Sequence, residues 1–170
     1  MTEAWLRGPV EGVPAELMPA AHALIDARED VERSVPGLTV DELWLTPGGV
    51  ASVGFHLCHV AGSIDRLLTY ARGEALDPSQ LAALGREKQP GSPLVEAEEL
   101  LARLGQTIDR ALQTYRATDV TTLDEPRKVG RAGLPSTVRG LLFHAAEHTR
   151  RHAGQVVATA GIVRGLGLSS

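Results

Sequence analysis

Residues 136–163 read STVRGLLFHAAEHTRRHAGQVVATAGIV, and three of the chain's six histidines stand in this stretch at four-residue intervals. Apolar side chains recur here with the period of an α-helix. At about 100° per residue, with His144 as zero, Val138, Leu141, Ala145 and Val156 cluster at about 60° to 120°. Arg139, Arg150 and Arg151 point away, at about 220° to 340°. The spacing therefore predicts one long amphipathic helix, starting near Ser136 and continuing to about Val163. His144, His148, His152 and Gln155 share an arc of about 80° on it. His148 and His152 face inward, and His144 lies at the edge of the buried stripe. Imidazoles on successive turns are roughly 6 Å apart along the axis and can converge on one metal ion.

Upstream, three more long helices follow from the same reasoning. The first runs from about Pro14 to Ser34, with Pro19 marking its true start because proline is tolerated only in a first turn. The second begins after Ser52, a good N-cap, and runs to Arg72, with Gly73 as its stop. The third starts at Ser92-Pro93 and carries Leu94, Ala97, Leu101, Leu104, Ile108 and Leu112. Residues 77–87 form a short helix capped by Asp77. Strand evidence is weak: Asp41-Glu42 argues against a buried strand in Leu38 to Leu45, and the polar segment from Thr118 to Pro135 shows little alternation. Four helices with short or medium connections predict an all-α four-helix bundle. The connection of about 17 residues before the last helix is long enough to cross it.

The 170 residues, 43% apolar and 22% charged, suit a single domain over 1–170 whose core needs no staples. A net charge of −4 gives no sign of a nucleic-acid surface. No apolar run approaches the roughly 20 residues that span a bilayer, and no secretory leader pattern opens the chain. The single cysteine, Cys58, allows no intrachain disulfide and fits a reducing compartment, so cytoplasm is expected.

The second helix adds His56 and His59, so five of the six histidines fall on two helices. With His56 at zero, Val53, Val60, Ile64, Leu67 and Leu68 occupy about 20° to 120°, whereas His59 falls near 300°, beside Ser63 and Tyr70. Periodicity alone favours His56 as the inward histidine, yet a site between facing helices can also use a stripe's edge. Cys58 points near 200°, away from the histidine flank, and reads as a structural residue. A lone inward histidine is usually a hydrogen-bonded core residue; three on one stripe opposite two more point to metal. His144-Ala145-Ala146-Glu147-His148 also matches the H-x-x-E-H peptidase signature, but no Asp or Glu follows Glu147 to complete that site.

Trp44-Leu45-Thr46-Pro47-Gly48-Gly49, then Ser52-Val53-Gly54, leads into His59-Val60-Ala61-Gly62-Ser63, and His148-Thr149-Arg150-Arg151-His152-Ala153-Gly154-Gln155 follows near the end. In the order and separation of these segments the sequence resembles the DinB family of DinB/YfiT-like metalloenzymes over nearly its whole length. It departs from the common pattern at Ala153, where an arginine often precedes Gly-Gln. The resemblance implies a four-helix bundle, often homodimeric, with a divalent metal ion held by His59, His148 and His152. His56 then becomes a neighbour of the ligands. With Ser63, Tyr70, His144 and Gln155 it makes up the candidate pocket. His22, on the first helix, is a bystander. Activities implied by the resemblance are transfer of a low-molecular-weight thiol to a small electrophile and thiol-dependent isomerisation.

Three neutral imidazoles leave a divalent ion at least one open position, the arrangement of a catalytic centre. Zn, Ni, Fe and Mn all suit such donors. The ion can make a thiolate from a thiol near neutral pH, or activate water for hydrolysis. A non-catalytic metal-binding helical protein is the remaining alternative.

Overall fold

The computed structural model describes residues 2–87, 89, 91 and 94–167. Its helices are α1 (Met18–Ser34), the short α2 (Val40–Trp44), α3 (Val53–Ala71), the short α4 (Pro78–Arg86), α5 (Ala97–Ala117) and α6 (Val138–Gly165). Their ends follow local chemistry. Pro19 sits in the first turn of α1. Ser52 Oγ accepts from Phe55 N at 3.1 Å and starts α3. Asp77 and Gln80 form a reciprocal capping box on α4. Gly73, at φ +79°, follows α3 in a backbone conformation that other residues rarely adopt.

α6 starts close to the expected Ser136, with Thr137 as its cap: Thr137 Oγ1 accepts from Gly140 N at 3.0 Å. Two expectations about boundaries need correction. Ser92-Pro93 lies outside the described residues, but Leu94 is not helical and α5 begins only at Ala97. The Val95 carbonyl is taken by the Trp44 indole Nε1–H at 2.9 Å, a tertiary bond that removes it from a helical ladder. The polar segment after α5 is not wholly irregular. It contains an antiparallel hairpin, β1 (Pro126–Val129) and β2 (Leu134–Thr137), in the register Pro126↔Thr137 to Val129↔Leu134. Strands of four residues, half of them exposed and none fully buried, carry little apolar–polar alternation in their sequence, so backbone pairing and outside anchors define them. Arg127 Nε donates to the Ala71 carbonyl at 2.7 Å and ties the hairpin to the end of α3.

The helix α2 was also missed. Its signature was nonetheless present, because Thr39 and Glu42 form a capping box. The segment from Leu38 to Leu45 is, as expected, not a strand.

Packing order sets the topology. α1 packs on α6, α6 on α3, α3 on α5, and α5 on α1. The four long helices thus form a ring in the order α1-α6-α3-α5. The chain crosses the bundle twice, once through residues 35–52 and once through residues 118–137, so the long connection before the last helix does cross as its length suggested. The core is aliphatic, with Leu24, Leu57, Ile64, Ile108, Leu142 and Val156 fully buried. Tyr115 is the large aromatic within it; its hydroxyl donates to the Leu142 carbonyl at 2.7 Å, and burial holds it protonated. Near the start of α3 a Cβ on Gly54 would stand 2.8 Å from the Trp44 ring, so only glycine admits that indole. Trp44 thereby braces the turn of α3 from which the histidines emerge. No helix among the described residues is long and apolar enough to cross a membrane.

Candidate metal centre

α3 and α6 are neighbours in the ring, which brings their histidines face to face. Two pairs span the interface. His59 Nε2 lies 2.9 Å from His148 Nε2, and His56 Nδ1 lies 2.9 Å from His152 Nδ1. The ring centroids of His148 and His152 are 4.4 Å apart, and those of His59 and His152 4.8 Å. One ligand atom each from His59, His148 and His152 lie within 4.8 Å of one another. Three donors from two rigid helices thus converge on one point.

The remaining ring nitrogens have partners that orient these donors. His59 Nδ1 donates to Glu87 Oε2 at 2.8 Å, and the other carboxylate oxygen of Glu87 pairs with Arg66. Arg151 Nη2 donates to His148 Nδ1 at 2.8 Å. His152 Nδ1 is occupied by His56. With Nδ1 engaged on all three rings, Nε2 is the nitrogen left to each. On His59 it is a lone pair, whereas on His148, whose Nδ1 accepts from Arg151, it carries the proton that a metal ion would have to displace. The Phe55 ring stacks on His59 at 5.4 Å between centroids, with planes 8° apart.

Electrostatics favour lone pairs over protons. Burial, reinforced by the neighbouring histidines, pushes His148 down to about 4 and His152 down to about 3. Burial, with His59 nearby, also lowers His56. At neutral pH these rings are uncharged, as metal ligation requires. Burial works against the Glu87 charge, but hydrogen bonds from His59 and Arg66 outweigh it, and the carboxyl stays below its usual range. The donor set therefore fits a divalent ion of borderline softness.

The other candidates separate. His56 is buried and touches His152, a neighbour of the cluster rather than part of it. His144 is exposed: its ring is 5.3 Å from that of His148, and its Nδ1 is 3.2 Å from Glu147. The H-x-x-E-H grouping is consequently not assembled, since His148 converges with His59 and His152 and not with His144. Ser63 is buried one turn beyond His59, and Gln155 is exposed; among the described residues neither bonds to a histidine. Tyr70 lies three turns beyond His59 and lines a different cleft of ≈ 320 Å³, with Leu76, Leu81, Lys128 and Arg131. The flank that joined Ser63 and Tyr70 to His59 on a helical wheel ignored their distance along the axis. His22 stays on α1, with Nε2 2.9 Å from the Gly8 carbonyl. Cys58 is half-buried, and burial pushes its thiol up.

Sequence reasoning missed Glu87 and Arg66. Glu87 follows α4, where no periodicity predicts an inward carboxylate. The available signal was Gly62, a glycine inside a helix on the His59 flank, which marks a close approach of some other group.

Two solved structures share this architecture. A conserved protein from Enterococcus faecalis is 21% identical at a TM-score of 0.68, over 88% of this chain and 97% of that one. YfiT from Bacillus subtilis, described as a probable metal-dependent hydrolase with an unusual four-helix bundle topology, is 16% identical. Its TM-score is 0.66, over 95% of this chain and 94% of its own. At such identities both establish the fold. The family described as the DinB superfamily matches residues 23–156. No curated protein matches the sequence.

Proposed function

The chain belongs to the DinB superfamily, and from that premise we propose that it is a divalent-metal-dependent enzyme that transfers a low-molecular-weight thiol to a small electrophile. The observation that carries the reading is the convergence of His59, His148 and His152, all oriented through Nδ1 and two of them held neutral by burial. These three residues would hold the ion, of which Zn, Ni, Fe and Mn all suit imidazole donors. When bound, the ion supplies Lewis acidity that lowers the pKa of a thiol toward neutrality.

The protein's part is positional. α3 and α6 present the donors on packed helices, so little side-chain freedom is lost on loading. Loading would displace the proton that His148 Nε2 holds toward His59 Nε2, so metal uptake would release a proton. His59, His148 and His152 would leave room for a thiol, and exposed His144 and Arg151 border the outer side of His148. In the reaction the thiol loses its proton to solvent, and its sulfur forms a bond to an electrophilic carbon. The bond from that carbon to the leaving group breaks, and the leaving group departs with the electron pair. In this reading the protein works in the cytoplasm as a homodimer.

Hydrolysis at the same centre is the second reading, favoured by the description of YfiT. The two separate on the co-substrate. Metal-loaded protein should consume thiol in step with the electrophile, and His152→Ala should abolish turnover while its circular dichroism stays native. Unchanged turnover in that variant rejects the three-histidine mechanism, and turnover independent of thiol replaces transfer with hydrolysis.

A further inference from the structure

Glu87 is a carboxylate only 8% exposed, in the segment that follows α4. Its two oxygens are divided between different partners. Oε2 accepts from His59 Nδ1 at 2.8 Å, and Oε1 pairs with Arg66. Both partners come from one face of α3: with His59 at zero, Arg66 lies at about 340° and Gly62 at about 300°. Gly62 leaves the space into which the carboxylate settles. A Cβ there would collide with Glu87 Oε1 inside any permitted contact distance, and would stand 2.8 Å from Arg66 Nη1. Burying a charged carboxylate is costly unless it is paired and hydrogen-bonded, and Arg66 supplies the pairing.

We propose that Glu87, clamped by Arg66 in the notch left by Gly62, is a positioning residue for His59. It holds the His59 proton on Nδ1 and turns Nε2 toward His148 and His152, and so sets the affinity of the centre for a divalent ion. A histidine whose outer nitrogen is not fixed samples both tautomers and several ring orientations, and only one of these ligates. The effect on metal affinity rests on the three-histidine reading; the effect on the His59 tautomer does not.

Two measurements on the full chain test this. Long-range proton–nitrogen NMR of the metal-free protein reports the His59 tautomer, and competition titration with zinc and a chelator reports affinity. The wild type should show a single His59 species protonated on Nδ1. Glu87→Ala should mix the tautomers and weaken zinc binding about 10–100-fold. Glu87→Gln, whose amide oxygen still accepts from Nδ1, should recover the tautomer and part of the affinity. Gly62→Ala keeps every titratable group yet obliges the carboxylate and the guanidinium to shift, and should move the tautomer and the affinity in the same direction as Glu87→Ala, by less. This variant and Glu87→Gln carry the test if Glu87→Ala does not fold. A wild-type tautomer and wild-type zinc affinity in Glu87→Ala, or in Gly62→Ala, would overturn the proposal. Failure of the metal reading looks different: the wild type would not bind zinc, or His152→Ala would bind it equally well. The tautomer would still decide the role of Glu87.

Discussion

The histidine layer between α3 and α6 has a dry end and an open end, and the two differ although their closest contacts are equal. At the dry end His56 is 4% exposed and meets His152 across 2.9 Å, and among the described residues no carboxylate is hydrogen-bonded to it. At the open end His59, its side chain 23% exposed, meets His148 across the same 2.9 Å, but it is also fixed by Glu87 and stacked on Phe55. Depth in the bundle therefore does not decide which ring joins His148 and His152 in the cluster. His59, the one that does, has a carboxylate on its second ring nitrogen and an open side, and a helix stripe records neither.

Exchanging the two ends gives the largest expected effect. His59→Ala removes one of three donors and should weaken zinc binding by about 100-fold, taking roughly 3 kcal/mol per ligand. His56→Leu removes only a partner of His152 and should weaken it about 10-fold. Equal losses in competition titrations would make both histidines ligands and erase the distinction between the two ends.

A smaller effect is expected from acid. His148 and His152, at about 4 and about 3, lie below the ordinary 6.5, so the native state binds fewer protons than the unfolded chain. Their contribution makes stability fall as the pH drops below about 6.5, and level off below about 3. Thermal melts of metal-free protein between pH 7 and 4 should show a smaller drop for the His148→Gln/His152→Gln double variant than for the wild type. Because both rings are partly solvated, the difference should be on the order of 2 °C. Parallel curves would mean that these rings are not held neutral.

The smallest effects belong to the histidines outside the layer. His144→Ala and His22→Ala should change stability by less than about 0.5 kcal/mol, and should leave zinc affinity within about twofold. A clear loss of zinc in His144→Ala would bring the H-x-x-E-H grouping back into consideration.

Much of the scaffold was legible because local rules suffice for it. Ser52, Pro19, Asp77 and Gly73 mark helix ends through their own hydrogen bonds or backbone angles, and the four long periodicities became the four bundle helices. Where a boundary depended on a remote partner, the reading failed: the Val95 carbonyl is claimed by Trp44 from far along the chain. The hairpin was hidden for a related reason, since its strands are too short to pattern and one anchor is the end of α3. At the site, the pairing of His148 with His152 followed from helical spacing alone. The choice of His59 over His56 did not, and entered through motif resemblance.

By itself the sequence determined an all-α bundle and a stripe of histidines on its last helix, because helical period and capping act over a few residues. Only the tertiary structure decided that α3 lies beside α6, that Tyr70 stands three turns away from the centre, and that Glu87 closes on His59. Those outcomes depend on which helices become neighbours and on how far apart residues lie along an axis. Period within a single helix contains neither quantity.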